Sequence, residues 1–303
     1  MDFEEKYNNI KKLVKTDFDV LEDEILNPFK DKNPLNEELS TFLTAPAKRL
    51  RPLLGFLFLR GVFDEINSKQ YNVLTAVELI HNATLIHDDI IDNAEKRRSR
   101  ETINIKFDNN LAVVAGDFLL SIAMEKIIDT GSTEVFKICA SAIKSTCLGE
   151  INQYFSKFNI TSIDKYIEKS KEKTAFLFQI AVLGSLLVSE KELNEDLRQK
   201  ALDFSQNFGI AFQIRDDLLN VLNLGNDVNS GIYTAPVIFA YEENKNILKE
   251  KDLMTAIKNT RGIEKTKQLM DNYFDKAVSN IQGFEDTIYK RGLLELIELF
   301  RNI

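Results

Sequence analysis

The sequence predicts an all-α protein, and three observations carry that expectation. Turn-forming residues are scarce: 12 glycines and 5 prolines in 303 residues are about 6 % of the chain, roughly half their usual share. Four of the prolines, Pro28, Pro34, Pro46 and Pro52, lie near the amino terminus, so only Pro236 interrupts the rest. From about Glu37 onward apolar residues recur every three or four positions, and no alternating strand pattern competes.

The helices follow in chain order. Pro52 opens LLGFLFLRGVF, which is apolar on nearly every face. A stripe of Val73, Val77, Ile80, Thr84, Asp88 and Ile91 comes next, with an aspartate in an apolar row. AFLFQIAVLGSLLV (175–188) and much of 208–222 are again apolar all round, as expected of helices at the centre of a large bundle. Polar loops are expected near 30–36, 64–70, 93–104, 129–133, 157–163, 189–196, 223–235 and 244–252. No repeat, low-complexity tract or linker divides the sequence, so a single domain over residues 1–303 is expected.

Charge and motif content narrow the function. With 39 basic and 47 acidic residues, net −8, the chain offers no general attraction to nucleic acid or an anionic membrane. An anionic substrate must then meet local cations or metal. No Gly-rich phosphate loop is present, and no His/Cys constellation suits zinc. Cys139 and Cys147 stand eight apart in a helical stretch, about 12 Å along its axis and beyond disulfide reach. A reducing, cytoplasmic compartment fits them. The amino terminus is charged from its second residue, and the longest apolar-or-small run (180–188) is too short to span a bilayer. A soluble protein without an export signal is expected.

The costly residues lie in ELIHNATLIHDDIIDNAEKRR, where His81, His87, Asp88, Asp89 and Asp92 interrupt an apolar helix. Asp88 and Asp92 are four apart and share a face, with His81 two turns back on it. A second apolar helix, AFQIRDDLLNVL, places Asp216, Asp217 and Asn220 at the same spacing. Two acidic faces on core helices can look at each other across a cavity. Such oxygen ligands suit Mg²⁺ bound together with substrate phosphates, and a diphosphate is the implied substrate. Cations stand at matching places: Lys48 and Arg51 around Pro52, Arg97 and Arg98 after the first acidic face, and Lys173-Thr174 at the mouth of 175–188.

Together these segments resemble the trans-isoprenyl diphosphate synthases, or polyprenyl synthetase family, over about Pro46 to Arg301. PAKRLRP is similar to the family's GGKRLRP, LIHDDIIDNAEKRR to its first aspartate-rich motif and Arg pair, and FQIRDDLLN to its second. AGDFLL, GEINQ and KTAFLF are similar to its internal motifs. The resemblance implies an orthogonal all-α bundle around a central cavity, usually a homodimer. It also implies that Asp88, Asp92 and Asp216 hold Mg²⁺ on an allylic diphosphate, assisted by Arg97, Lys173, Thr174 and Gln213. Lys48, Arg51, His81 and Arg98 would hold isopentenyl diphosphate. Long-chain members, octaprenyl diphosphate synthase among them, are the most similar. Ala83 stands five residues before Asp88, where short-chain members usually carry an aromatic residue, and Thr84 is also small. Both, with Met124 deeper down, are expected to set chain length.

Several positions depart from the family pattern. Asn220 replaces the third aspartate, Pro46-Ala47 replace Gly-Gly, and Ser99 follows the Arg pair where glycine is usual. The 223–235 loop lacks the usual Gly-Lys, and Ile232 stands in GIYTAP where GKxTxP has lysine. Asp227 is a candidate to supply the lost carboxylate. Two alternatives stay open. One is a non-catalytic or weakly active subunit of a heteromeric synthase. The other is a class I terpene cyclase, for which Asn226, Asp227 and Ser230 match part of a metal motif.

Overall fold

The structure, a computed structural model, describes all residues except Met1, Lys32, Leu224 and Ile303, and the backbone alone at Asn226. In chain order the elements are α1 (Phe3–Lys12), α2 (Lys15–Leu26), α3 (Pro34–Thr44), α4 (Leu50–Arg60) and α5 (Ser68–Ile91). A short hairpin, β1 (Lys96–Arg97) and β2 (Arg100–Glu101), leads to α6 (Ile103–Lys106), α7 (Asn109–Ile128), α8 (Thr133–Phe155) and α9 (Ile163–Ser170). There follow α10 (Phe176–Gln179), α11 (Ser185–Leu187), α12 (Glu195–Asn223), α13 (Asn226–Asn229), α14 (Ala235–Glu243), α15 (Leu253–Lys258), α16 (Gly262–Ile281) and α17 (Ile288–Arg301). The described residues are predominantly helical, as the sequence predicts.

They form two compact units. The N-terminal unit holds Lys11–Ile138 and Ile180–Leu193; the C-terminal unit holds Met1–Ile10, Cys139–Gln179 and Asn194–Ile303.

In the N-terminal unit, α4 is buried on all faces: Leu53, Leu54, Phe56, Leu57 and Phe58 have no exposure. The start of α5 is set by a capping box in which Asn67 Oδ1 accepts from the Gln70 N–H and Gln70 Oε1 accepts from the Asn67 N–H, each at 2.9 Å. Helix α5 packs along α7. The approach is close at Gly116, where a Cβ would stand 2.2 Å from His87 Nε2. The hairpin is a departure from the loop expected over 93–104. Its two-residue strands pair Lys96 with Glu101 and Arg97 with Arg100, too short to show a period of two. Its turn residues, Arg98 (φ 50°) and Ser99 (φ 64°), are both left-handed, the backbone of a tight type I′ turn that favours glycine.

In the C-terminal unit α12 runs along α16. Phe208 is at the centre of its core, with ring centroids 5.3 Å from Phe178, 5.9 Å from Phe274 and 6.3 Å from Phe300. Gly209 lets α12 press on the 171–175 backbone, since a Cβ there would lie 2.6 Å from Ala175 Cα. The stretch expected as one regular helix contains π-helical turns at Lys171–Ala175 and Ile180–Gly184. π-turns widen a helix and re-aim the side chains they carry, and Lys173 and Thr174 lie in the first.

Candidate active site

At the start of α4 the residue that turns inward is Arg49, which the sequence reading passed over. Its backbone is left-handed (φ 54°), and its side chain is 3 % exposed. Nη1 bonds Glu78 Oε2 at 3.0 Å, Nε and Nη2 bond both oxygens of Glu22 at 3.0 Å, and Nη2 also donates to the Leu43 carbonyl at 2.6 Å. Burial works against this charge, but Glu78 and Glu22 outweigh it and hold the guanidinium pKa above its ordinary value. With Arg49 so anchored, Lys48 is left exposed and Arg51 half-buried. The signal that distinguishes Arg49 from Arg51 is the backbone angle, which the KRLR string does not show.

The end of α5 carries the first acidic cluster. Asp92 is exposed and Asp88 half-buried, while Asp89 between them is buried. Arg97 holds Asp89: its Nε stands 2.8 and 3.0 Å from the two carboxylate oxygens, and Nη2 2.7 Å from Oδ1. Arg97 therefore serves the first motif from the hairpin, by fixing its middle aspartate. His81, partly buried, has its pKa held well below the usual histidine value by burial and then by the charges of Arg51, Arg98, Arg97 and Arg49. Its ring is neutral at pH 7. Arg51 and Arg98 thus both act on His81 as nearby positive charges. Arg98 carries a buried Nη1 that makes no hydrogen bond. Of the three chain-length candidates, Ala83 is wholly buried. Thr84 is half-buried with its hydroxyl donating to the His81 carbonyl at 2.8 Å, and Met124 is half-buried on α7.

The second acidic cluster repeats the pattern on α12. The Asp216 side chain is 47 % exposed, while Asp217 is buried. Both Asp217 oxygens are taken: Tyr166 Oη donates to Oδ2 at 2.5 Å and Gln213 Nε2 to Oδ1 at 2.8 Å. The Thr174 hydroxyl donates in turn to Gln213 Oε1, so Thr174, Gln213, Asp217 and Tyr166 form one chain. Burial pushes the Asp217 carboxyl up to about 7 despite the two donors that draw it down. Lys173 pairs with Glu150. Asn220 Oδ1 accepts from the Asp227 N–H at 3.4 Å, which ties the acidic helix to the short loop after it. Tyr166 and Lys169 were not singled out from the sequence, and Glu150 entered only as part of GEINQ. The side chain of Asn226 lies outside the described residues.

Lys173, Gln213, Asp217 and Asp227 line a cavity of about 320 Å³ in the C-terminal unit, together with Lys157, Lys165, Lys169, Tyr166 and Thr234. Among the described residues no three His, Cys, Asp or Glu side chains gather into a ready-made metal cage. The donors present are carboxylates in ones and twos, which fits a hard divalent ion that takes its other ligands from substrate phosphate and water.

A helical chain with two such aspartate doublets has the make-up of an isoprenoid synthase, and comparison with known proteins agrees. The polyprenyl synthetase family model matches residues 32–273. Solanesyl diphosphate synthase 1, chloroplastic, of Arabidopsis thaliana is 30 % identical over 311 residues, covering 94 % of this chain and 76 % of that protein. Heptaprenyl diphosphate synthase component 2 of Geobacillus stearothermophilus is 31 % identical over 290 residues, 88 % of this chain and 89 % of that protein. The crystal structure of a decaprenyl diphosphate synthase from Rhodobacter capsulatus superposes with a TM-score of 0.89 at 27 % identity, over 97 % of this chain and 98 % of that one. The chain belongs to the polyprenyl synthetase family.

Proposed function

We propose that this protein is a Mg²⁺-dependent prenyltransferase that condenses isopentenyl diphosphate with an allylic diphosphate, yielding a long-chain all-trans polyprenyl diphosphate. The observation that carries the reading is the shared design of the two doublets. In each, the second aspartate, Asp89 or Asp217, is buried and bonded to a fixed partner, which leaves the first, Asp88 or Asp216, on the outer side. Asp88, Asp92 and Asp216 are the proposed metal ligands. A bound Mg²⁺ would supply Lewis-acid stabilisation of the leaving pyrophosphate.

The chain's own groups supply the rest. Lys173, the Gln213 amide and Thr174 bind the allylic diphosphate, and Arg97 acts through Asp89. Fixed positive charge stabilises the leaving group most as its C–O bond breaks. Lys48, Arg51, Arg98 and neutral His81 bind isopentenyl diphosphate, whose double bond attacks the allylic carbon before a proton is lost. Apolar helices keep water from the allylic cation. Ala83, Thr84 and Met124 are proposed to border the growing tail.

Both units are taken to act as one domain in a cytoplasmic setting, which suits the free cysteines Cys139 and Cys147. Among the described residues no helix is long and apolar enough to cross a membrane. Self-association as a homodimer is supported by the exposed Val113, Val114 and Phe118 on α7. A second reading, a non-catalytic or weakly active subunit of a heteromer, is favoured by the relative named component 2.

The test is incubation of the purified chain alone with labelled isopentenyl diphosphate and allylic primers of ten, fifteen and twenty carbons. A metal-dependent long-chain product is expected, and Asp88→Ala should lower its rate ~100-fold or more. No product under any metal refutes the single-chain reading, and a near-native Asp88→Ala rate refutes the metal assignment.

A further inference from the structure

The cavity in the C-terminal unit holds more positive charge than the roles above employ. Four lysines, Lys157, Lys165, Lys169 and Lys173, line it against two carboxylates, Asp217 and Asp227. Both oxygens of Asp217 are already occupied, and Lys173 is matched by Glu150. Lys169 is half-buried on α9, and its Nζ donates to a neutral acceptor, Gln153 Oε1, at 2.9 Å. Burial and the charge of Lys173 lower the pKa of its ammonium group and outweigh Glu150, Asp217 and Asp227, which draw it up. Two cations crowded in a half-buried place are costly unless an anion joins them.

A second observation lies on the same cavity wall. Thr234 is the N-cap of α14, where a threonine ordinarily accepts a bond from its own helix. It makes no such bond. Its Oγ1 is buried without any hydrogen-bond partner, in a residue only 7 % exposed that lines the cavity. A buried orphan hydroxyl lowers stability unless something arrives to bond it. The nine-residue helix α14 also directs its positive end to this point. Ile232, beside it on the cavity wall, brings no charge.

We infer that Lys169 and the Thr234 hydroxyl, at the start of α14, form a subsite for an oxyanion of the allylic diphosphate. The inference rests on the prenyl-transfer reading of this cavity. It places one cation of the site on α9, supplied by a residue that the family motifs do not contain. The Thr234 hydroxyl donates a hydrogen bond to the phosphate oxygen, and Lys169 exchanges Gln153 for the same group.

The test uses the full chain with Mg²⁺ and titrates inorganic pyrophosphate by calorimetry into wild type, Lys169→Met, Thr234→Val and Thr234→Ser. Lys169→Met and Thr234→Val should each bind about ten-fold more weakly or worse, the usual loss for a bond to a charged group. Thr234→Ser should bind as wild type does. Without pyrophosphate, Thr234→Val should melt no lower than wild type, because it removes an unsatisfied hydroxyl, so weak binding there is not unfolding. In the condensation assay the KM for farnesyl diphosphate should rise while that for isopentenyl diphosphate stays constant. Pyrophosphate affinity within about two-fold of wild type in either variant overturns the subsite, as does a parallel rise of both KM values. A wild type that makes no prenyl product, yet shows the predicted variant effects on pyrophosphate, refutes the proposed reaction and retains the anion subsite.

Discussion

Replacing Arg49 with leucine should strip the N-terminal unit of the cation that neutralises Glu78. The Glu78 side chain is only 3 % exposed, so its charge has no water to turn to once the guanidinium is gone. The Glu22 partner is 37 % exposed and can be rehydrated, which makes Glu78 the main source of the loss. Breaking a buried ion pair from one side costs about 3–5 kcal/mol, mostly the penalty of the charge left behind. For a chain of 303 residues, an unfolding entropy of about 2.1 cal/mol/K per residue converts this to a fall in Tm of roughly 5–8 °C. Arg49→Lys should lie between, since an ammonium cannot bridge Glu78, both oxygens of Glu22 and the Leu43 carbonyl together. The double variant Arg49→Leu/Glu78→Leu should regain much of the loss, because it removes the stranded carboxylate. Urea melts monitored by circular dichroism measure all four proteins. A loss below about 1 kcal/mol for Arg49→Leu, or a double variant less stable than the single one, would refute the stranded-charge reasoning.

Three other outcomes follow from the structure. His81 has a folded pKa below its unfolded value of about 6.5, so the unfolded chain binds the extra proton. Stability should therefore fall as pH drops below 6.5, by about 1 kcal/mol between pH 6.5 and 5.5 from this group, and His81→Asn should flatten urea midpoints measured over that window; equal slopes in both proteins would reject the assignment. Ser99→Gly should raise stability by about 1 kcal/mol, because the left-handed φ of 64° strains a serine and not a glycine, and a lowered urea midpoint would show that the hydroxyl matters more than the backbone. Ala83→Tyr should shorten the product while sparing the first condensation; since Ala83 is wholly buried, a tyrosine that meets packed core instead of the growing tail would cost about 1–3 kcal/mol or more, so a destabilised variant with unchanged chain length refutes the tunnel role.

What the sequence reveals, and what it hides, follows from which physical feature leaves a periodic trace. Helix α4 is legible because a segment apolar on every face has no place other than the interior, and its side chains are buried all round. The π-turns at 171–175 and 180–184 are not, since one added residue per turn leaves the three-or-four spacing of apolar residues nearly intact. The inward turn of Arg49 depends on one left-handed residue and the hairpin at Lys96–Glu101 on two, and a string of side-chain types carries no φ.

The aspartate doublets are the instructive intermediate case. Successive residues on a helix are about 100° apart, so two adjacent aspartates on a core helix cannot share one face. If the first faces out, the second is swung toward the interior and must find a partner there. The spacing alone therefore requires two anchors, but it cannot name them. In the N-terminal unit the anchor is Arg97, eight residues on and brought back by a strained hairpin. In the C-terminal unit it is Tyr166, fifty-one residues earlier and on another helix. The first is a charge pair and the second a neutral donor, and burial pushes the Asp217 carboxyl up to about 7 although Tyr166 and Gln213 draw it down. The two acidic helices thus share one spacing, and each anchors its buried aspartate with a different kind of partner.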